Sequence, residues 1–103
     1  MLQLVLKGRK GQFEAKATYD VAKKEFIVLK GSTVSSRVSE SEKFRGSESV
    51  KKMREAYVKN GKVTKDVCFS SASTAANFIT GSSTNGMLAW KDENGTYLKE
   101  LLK

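Results

Sequence analysis

VCFSSASTAANFITGSSTNGMLAW, residues 67–90, is a 24-residue stretch without one Asp, Glu, Lys or Arg, in a chain of 103 residues that is otherwise crowded with charge. Its internal pattern changes more than once. Val67-Cys68-Phe69 is short, β-branched and aromatic, and continues a strand from Lys65-Asp66. Ser70-Ser71 ends that strand, and the Ser71 hydroxyl can cap a helix by accepting from the free N–H groups of its first turn. Within the helix, Ala72, Ala75, Ala76 and Ile79 recur at i, i+3, i+4 and i+7 and form one apolar face. Their small size lets the helix lie close against a sheet. Gly81 is the expected stop. Residues 82–86 then read as a loop and residues 87–91 as a strand. A strand, a close-packed helix and a second strand account for most of the neutrality as core. The hydroxyl-rich helix start and the 82–86 loop are polar and neutral where solvent or a ligand would be.

Two residues of the stretch have chemistry worth weighing. Cys68, between Val67 and Phe69, is expected in the core, where free cysteine commonly sits as an inert small hydrophobe. Trp90 either packs in the core or stacks on a base, and an alternating strand permits both.

Working outward, residues 2–6 form an apolar run followed by the turn-like Gly8-Arg9-Lys10-Gly11. Phe13, Ala15, Ala17 and Tyr19 then alternate with polar residues at period two, the mark of a half-buried strand, so the two segments predict an N-terminal hairpin. EFIVLK, residues 25–30, predicts a third strand ending at Gly31. Residues 32–45 are polar, Ser-rich and aperiodic, and are expected to form a mobile loop with little to bury. A helix over residues 47–60 follows, with Ser47 as cap, Glu48 complementing the positive helix end and Asn60-Gly61 as terminator. Val50, Met53 and Tyr57, with Ala56, would be its inner stripe, and Glu48–Lys52 and Glu55–Lys59 are favourable i,i+4 pairs. Asp92-Glu93-Asn94-Gly95 is a strong turn. Beyond it the chain returns as a strand, or Leu98, Leu101 and Leu102 form one face of a short helix. The expected class is α+β in one domain, residues 1–103. It has a mostly antiparallel sheet with N-terminal hairpin strands, two main helices (about 47–60 and 71–80) and a C-terminal hairpin or short helix.

Charge bounds the function. The formal net charge is +8, and residues 43–65 alone carry eight basic and two acidic side chains. A clustered excess of this kind attracts polyanions, nucleic acid first among them. There is no histidine and only one cysteine. The commonest general base is therefore missing, and no zinc cage or internal disulfide can form. Gly81 and Gly86 have the spacing of a phosphate loop, but the Lys-Ser/Thr that should follow is absent. The abundant serines have no histidine to activate them and no nucleophile elbow. The expectation is not an enzyme, with no cofactor and no metal. The opening MLQLVLKGRKG is too short an apolar run for a signal peptide and nothing is long enough to span a bilayer, so no membrane partner and a cytoplasmic location are expected.

FIVLKGS (residues 26–32) and FSSASTAANFITGSSTNGMLAWKDENGTYLKEL (residues 69–101) together resemble domain of unknown function 4357 over about residues 13–101. That family's elements run from a strand ending in V-L-K-G-S, through a variable loop and a helix, to F-x-S-P-S-x-A-A, G-x-S-x-N-G, W-K and D/N-G-x-x-L. The resemblance implies an accessory domain that occurs C-terminal to GIY-YIG nuclease domains and near restriction-modification functions. The second half is more distantly similar to the RAMA domain, proposed to read modified DNA. The family's S-P-S falls on Ser71, Ala72 and Ser73, its N-G on Asn85 and Gly86, its W-K on Trp90 and Lys91, and its K-G-S on Lys30, Gly31 and Ser32. Ala72 stands in place of the usual proline, which costs some preorganisation of the helix start. No catalytic role is implied for any of these positions.

The resulting expectation is a non-enzymatic nucleic-acid-binding module, DNA ahead of RNA, serving a nuclease or restriction-modification-related system. Lys51, Lys52, Arg54, Lys59, Lys62 and Lys65 would contact phosphates. Ser71, Ser73, Asn85, Gly86 and Trp90 would form a specific site. The alternative is a protein-interaction or scaffolding domain that docks a partner, such as a nuclease domain or subunit, through the neutral 67–90 region.

Overall fold

The computed structural model describes residues 1–8, 11–35 and 47–103. Alternation builds its centre. Strands β1 (Leu2–Lys7), β2 (Glu14–Asp20), β3 (Glu25–Val28) and β6 (Val67–Phe69) pair antiparallel in the order β1-β2-β3-β6. The register sets Leu4 opposite Ala17 and Leu6 opposite Ala15, Ala17 opposite Val28, and Phe26 and Val28 opposite Phe69 and Val67. All of these residues are buried on one face. Period two along each strand thus becomes a single apolar surface across four strands.

Helix α2 (Ala72–Thr80) covers that surface. The predicted face of Ala72, Ala75, Ala76 and Ile79 is buried, and Phe78 joins it against Phe69, the two ring centroids lying 5.3 Å apart. Both ends form as the sequence predicts. The Ser71 hydroxyl accepts from Thr74 N–H at 3.1 Å, and Gly81, at φ 73°, donates its N–H to Asn77 O. Trp90 is wholly buried beneath this layer, 4.9 Å from the Phe26 ring centroid.

Helix α1 (Ser47–Tyr57) stops three residues before the expected end, because Val58-Lys59 (β4) and Lys62-Val63 (β5) pair as a two-stranded ribbon. Asn60 (φ 54°) and Gly61 (φ 77°) form its turn. Asn-Gly therefore closes a hairpin here, where two consecutive positive φ angles match the strand twist, and not a helix. Val50 is buried and Met53 and Tyr57 are half-buried, but Ala56 faces solvent. The capping role expected of the Ser47 side chain lies outside the described residues.

Three further expectations are corrected. Residues 87–91 do not form a strand: Gly86–Ala89 is a one-turn helix, α3, and strand character survives only at Lys91, which bridges Val5 and Tyr97. A short apolar run such as Met-Leu-Ala-Trp cannot be assigned by periodicity. Asn85, whose side-chain oxygen accepts from Met87 N–H at 3.0 Å, was the cap that should have decided it. Cys68 is exposed, not core. With Val67 and Phe69 turned inward, pleating sends the residue between them outward. Of the loop expected over 32–45, residues 36–45 lie outside the described residues, while 32–35 are fastened down. Ser32 is buried and its hydroxyl accepts from Lys16 N–H at 3.0 Å; Thr33 does the same for Glu14 N–H at 2.7 Å. These hydroxyls take the place of a neighbouring strand along β2, so a polar sequence finds something to satisfy. The last helix, α4 (Leu98–Leu101), follows the 92–95 turn, with Leu98 buried and its N–H donating to Trp90 O.

Candidate nucleic-acid interface

Six cations were expected to contact phosphates, and the fold sorts them. Arg54 is spent on the protein itself. Its guanidinium donates to Phe78 O at 3.0 Å, Ser35 O at 2.9 Å, Ser35 Oγ at 3.0 Å and Ile79 O at 3.1 Å. It thereby gathers carbonyls from the last turn of α2, where the helix dipole favours a cation. Burial pulls its pKa below the ordinary arginine value by desolvation, although an arginine remains charged at neutral pH. Arg54 is thus the clamp that joins α1 to α2 and is removed from the phosphate-contacting set. Lys51 is half-buried and already engaged.

The other four are presented outward. Lys52, Lys59, Lys62 and Lys65 are exposed. Lys59 and Lys62 are direct cross-strand partners in the β4–β5 ribbon. Like charges so placed repel, and the only ion pair between described residues is remote, Lys103 with Glu100 at 3.2 Å. The expected Glu48–Lys52 and Glu55–Lys59 pairs are not closed. Lys65 reaches back over the Tyr57 ring, 4.8 Å from its centroid, a cation–π contact that positions the ammonium beside the ribbon. The sequence signal for this ribbon was VKNGKV, residues 58–63: a symmetric flank around Asn-Gly, which outranks a helix terminator.

The residues of the expected specific site are brought together, but as a latch between helices. Gly86 is buried against the start of α2, where a Cβ would stand 2.3 Å from Ala72 C and 2.5 Å from Ser73 N. Gly86 N–H donates to Ser73 Oγ at 3.0 Å, and Trp90 Nε1–H donates to Ala72 O at 3.0 Å. Trp90 has no exposed surface, so stacking on a base is ruled out and its place is the core. Gly86 is likewise a packing residue. Ser71 and Asn85 are exposed, but each hydroxyl or amide oxygen caps its own helix.

The model of a domain of unknown function, DUF4357, matches residues 6–102. The chain belongs to the DUF4357 family. No curated protein and no solved structure matches it. In this DUF4357 chain the matched region runs from the end of β1 through α4 and so includes β2, β3 and β6 of the sheet, the latch and the lysine ribbon. Ser73, Gly86 and Trp90 within it fasten the α3 segment to α2, while Ser71 and Asn85 cap their own helices. Among the described residues no helix is long and apolar enough to cross a membrane.

Proposed function

We propose that this DUF4357 chain is a non-enzymatic, cytoplasmic module that binds nucleic acid, DNA ahead of RNA, for a nuclease or restriction-modification-related system. The association with GIY-YIG nucleases and the RAMA-like reading of DNA belong to this proposal. The observation that supports it best is the Lys59–Lys62 pair. Two ammonium groups directly opposite each other cost the fold several tenths of a kcal/mol, and a phosphate backbone is the ligand that reverses the sign of that cost. Lys65, held over Tyr57, adds to the same charge, Lys52 is exposed on the preceding helix, and Arg54 fixes that helix to α2.

The test is binding of a labelled duplex over a range of salt. Affinity is expected to fall linearly in log–log form, with a slope of about 0.9 per phosphate contact. Replacing Lys59 and Lys62 together by Thr should lower that slope by about two. Absence of binding at low ionic strength, or binding that ignores salt, sinks the proposal.

A second reading, docking of a protein partner such as a nuclease domain, is favoured by one feature. In the charge-free stretch, Met87 and Leu88 on α3 remain 38% and 52% exposed. Charge reversal at Lys59 and Lys62 separates the two, since it abolishes nucleic-acid binding and spares a complex made through α3.

A further inference from the structure

A cleft of about 580 Å³ gathers cations from three separate parts of the chain. It opens at the end of the sheet, where β1 ends and β2 begins, between the outward-facing strand lysines and Phe13, which packs against the core. Lys7 of β1 and Lys16 of β2 both project there: Lys7 is paired with Glu14 and Val5 with Lys16. The two lysines are therefore diagonal neighbours, roughly 7–8 Å apart and within reach of one ligand. Lys30 completes the group, placed by Leu29 N–H donating to Lys16 O at 2.8 Å. All three are exposed, and none forms an ion pair with a described residue. Among the described residues Glu14 is the one carboxylate on the wall. The nearby Asp66 carboxylate is used on Lys30 main-chain N–H, at 2.8 Å, and not on its ammonium.

The wall also carries an aromatic ring. Phe13 is half-buried and lies so close to the β1–β2 turn that a Cβ on Gly8 would come within 2.7 Å of it. The cleft thus combines three ammonium groups, one carboxylate and a ring. It is contiguous with the lysine ribbon: Thr33, on its lining, bridges Lys62, and Gly31 N–H donates to Val63 O at 2.9 Å.

An anion joined to a flat apolar group is the ligand such a wall recognises, since ammonium groups take phosphate and an aromatic face takes a base of any sequence. We propose that this cleft is a subsite for an unpaired nucleotide of a strand bound along the Lys59–Lys62 ribbon. Lys7, Lys16 and Lys30 hold its phosphates and Phe13 stacks on its base. The inference rests on the nucleic-acid reading above and adds where the strand goes and what it must be: locally single-stranded.

The experiment is an NMR titration of the full chain with a short oligothymidylate, a blunt duplex and thymidine monophosphate. The expected result with the oligothymidylate is amide shifts at Gly8, Lys16 and Gly31 together with an upfield move of the Phe13 ring protons. The variant K7S/K16S/K30S, with folding checked by Trp90 fluorescence, should lose that ring shift while keeping the response of residues 58–63. Its salt slope should fall by about two, at about 0.7 per contact for a single strand. A response confined to residues 51–65 with Phe13 unmoved overturns the subsite and leaves nucleic-acid binding standing. Equal Phe13 shifts with the duplex overturn the unpaired nucleotide, and equal affinity for the monophosphate overturns the strand in favour of a free nucleotide. No response anywhere overturns both proposals.

Discussion

Gly86 shows how much of this fold rests on one missing atom. Its amide reaches Ser73 Oγ only because no Cβ holds α3 away from the Ala72 backbone. In Gly86→Ala the added atom meets main chain, which cannot rotate aside as a side-chain tip would. The helix start and the Trp90 Nε1–H bond to Ala72 O must both shift. A loss of about 3 kcal/mol is expected, at the upper end of ordinary overpacking. Urea denaturation followed by Trp90 fluorescence measures it. Cys68 makes the opposite point, because its two apolar neighbours suggested burial while the pleat between them requires exposure. Its thiol should therefore react stoichiometrically with a chromogenic disulfide in the native protein, without denaturant. Protection until unfolding would contradict the orientation of β6.

The ribbon β4–β5 is the element where stability and binding are expected to pull apart. Lys62→Thr removes a like-charge opposition and supplies a β-branched residue, so it should stabilise the fold by about 0.5 kcal/mol. The same change should weaken duplex binding and lower the salt slope by about one. Thermal unfolding and anisotropy on one preparation read both signs, and a variant that weakens both would show that Lys62 is structural. The elements legible in the sequence were those with a long period: the alternation of residues 13–19, and the i, i+3, i+4, i+7 face of α2 with both its caps. Those missed were one turn or two residues long. In α3 and β4–β5 no period can be counted, and only the local chemistry of Asn85 and of Asn60-Gly61 carries the information. The candidate site was legible to the same degree. Charge clustering pointed to the ribbon lysines, but nothing in the sequence distinguished Arg54, whose use depends on carbonyls 24 and 25 residues away. The motif residue Gly86 was likewise placed in a surface site, and Trp90 was left between core and stacking, because their burial depends on tertiary packing.

Across the whole molecule the net charge is +8, the described residues close one ion pair, Lys103 with Glu100, and the apolar residues are gathered on one side of the sheet. Compaction brings these charges closer than they stand in the unfolded chain, so self-repulsion opposes folding and salt should relieve it. The described ion pair that salt would weaken, Lys103–Glu100, is exposed and worth little. Raising potassium chloride from about 0.01 M, where the screening length is about 30 Å, to about 0.15 M, where it is about 8 Å, should therefore stabilise the fold. A gain of about 0.5 kcal/mol corresponds to a Tm rise of roughly 2–4 °C for a domain of this size. Over the same interval duplex affinity should fall, because lysines that neutralise phosphates release the cations condensed on the duplex, and added salt opposes that release. The two responses have opposite signs and one origin. A Tm that falls with chloride would mean that attractive pairs dominate the surface, and the ribbon lysines would then lose their standing as charges in need of a partner.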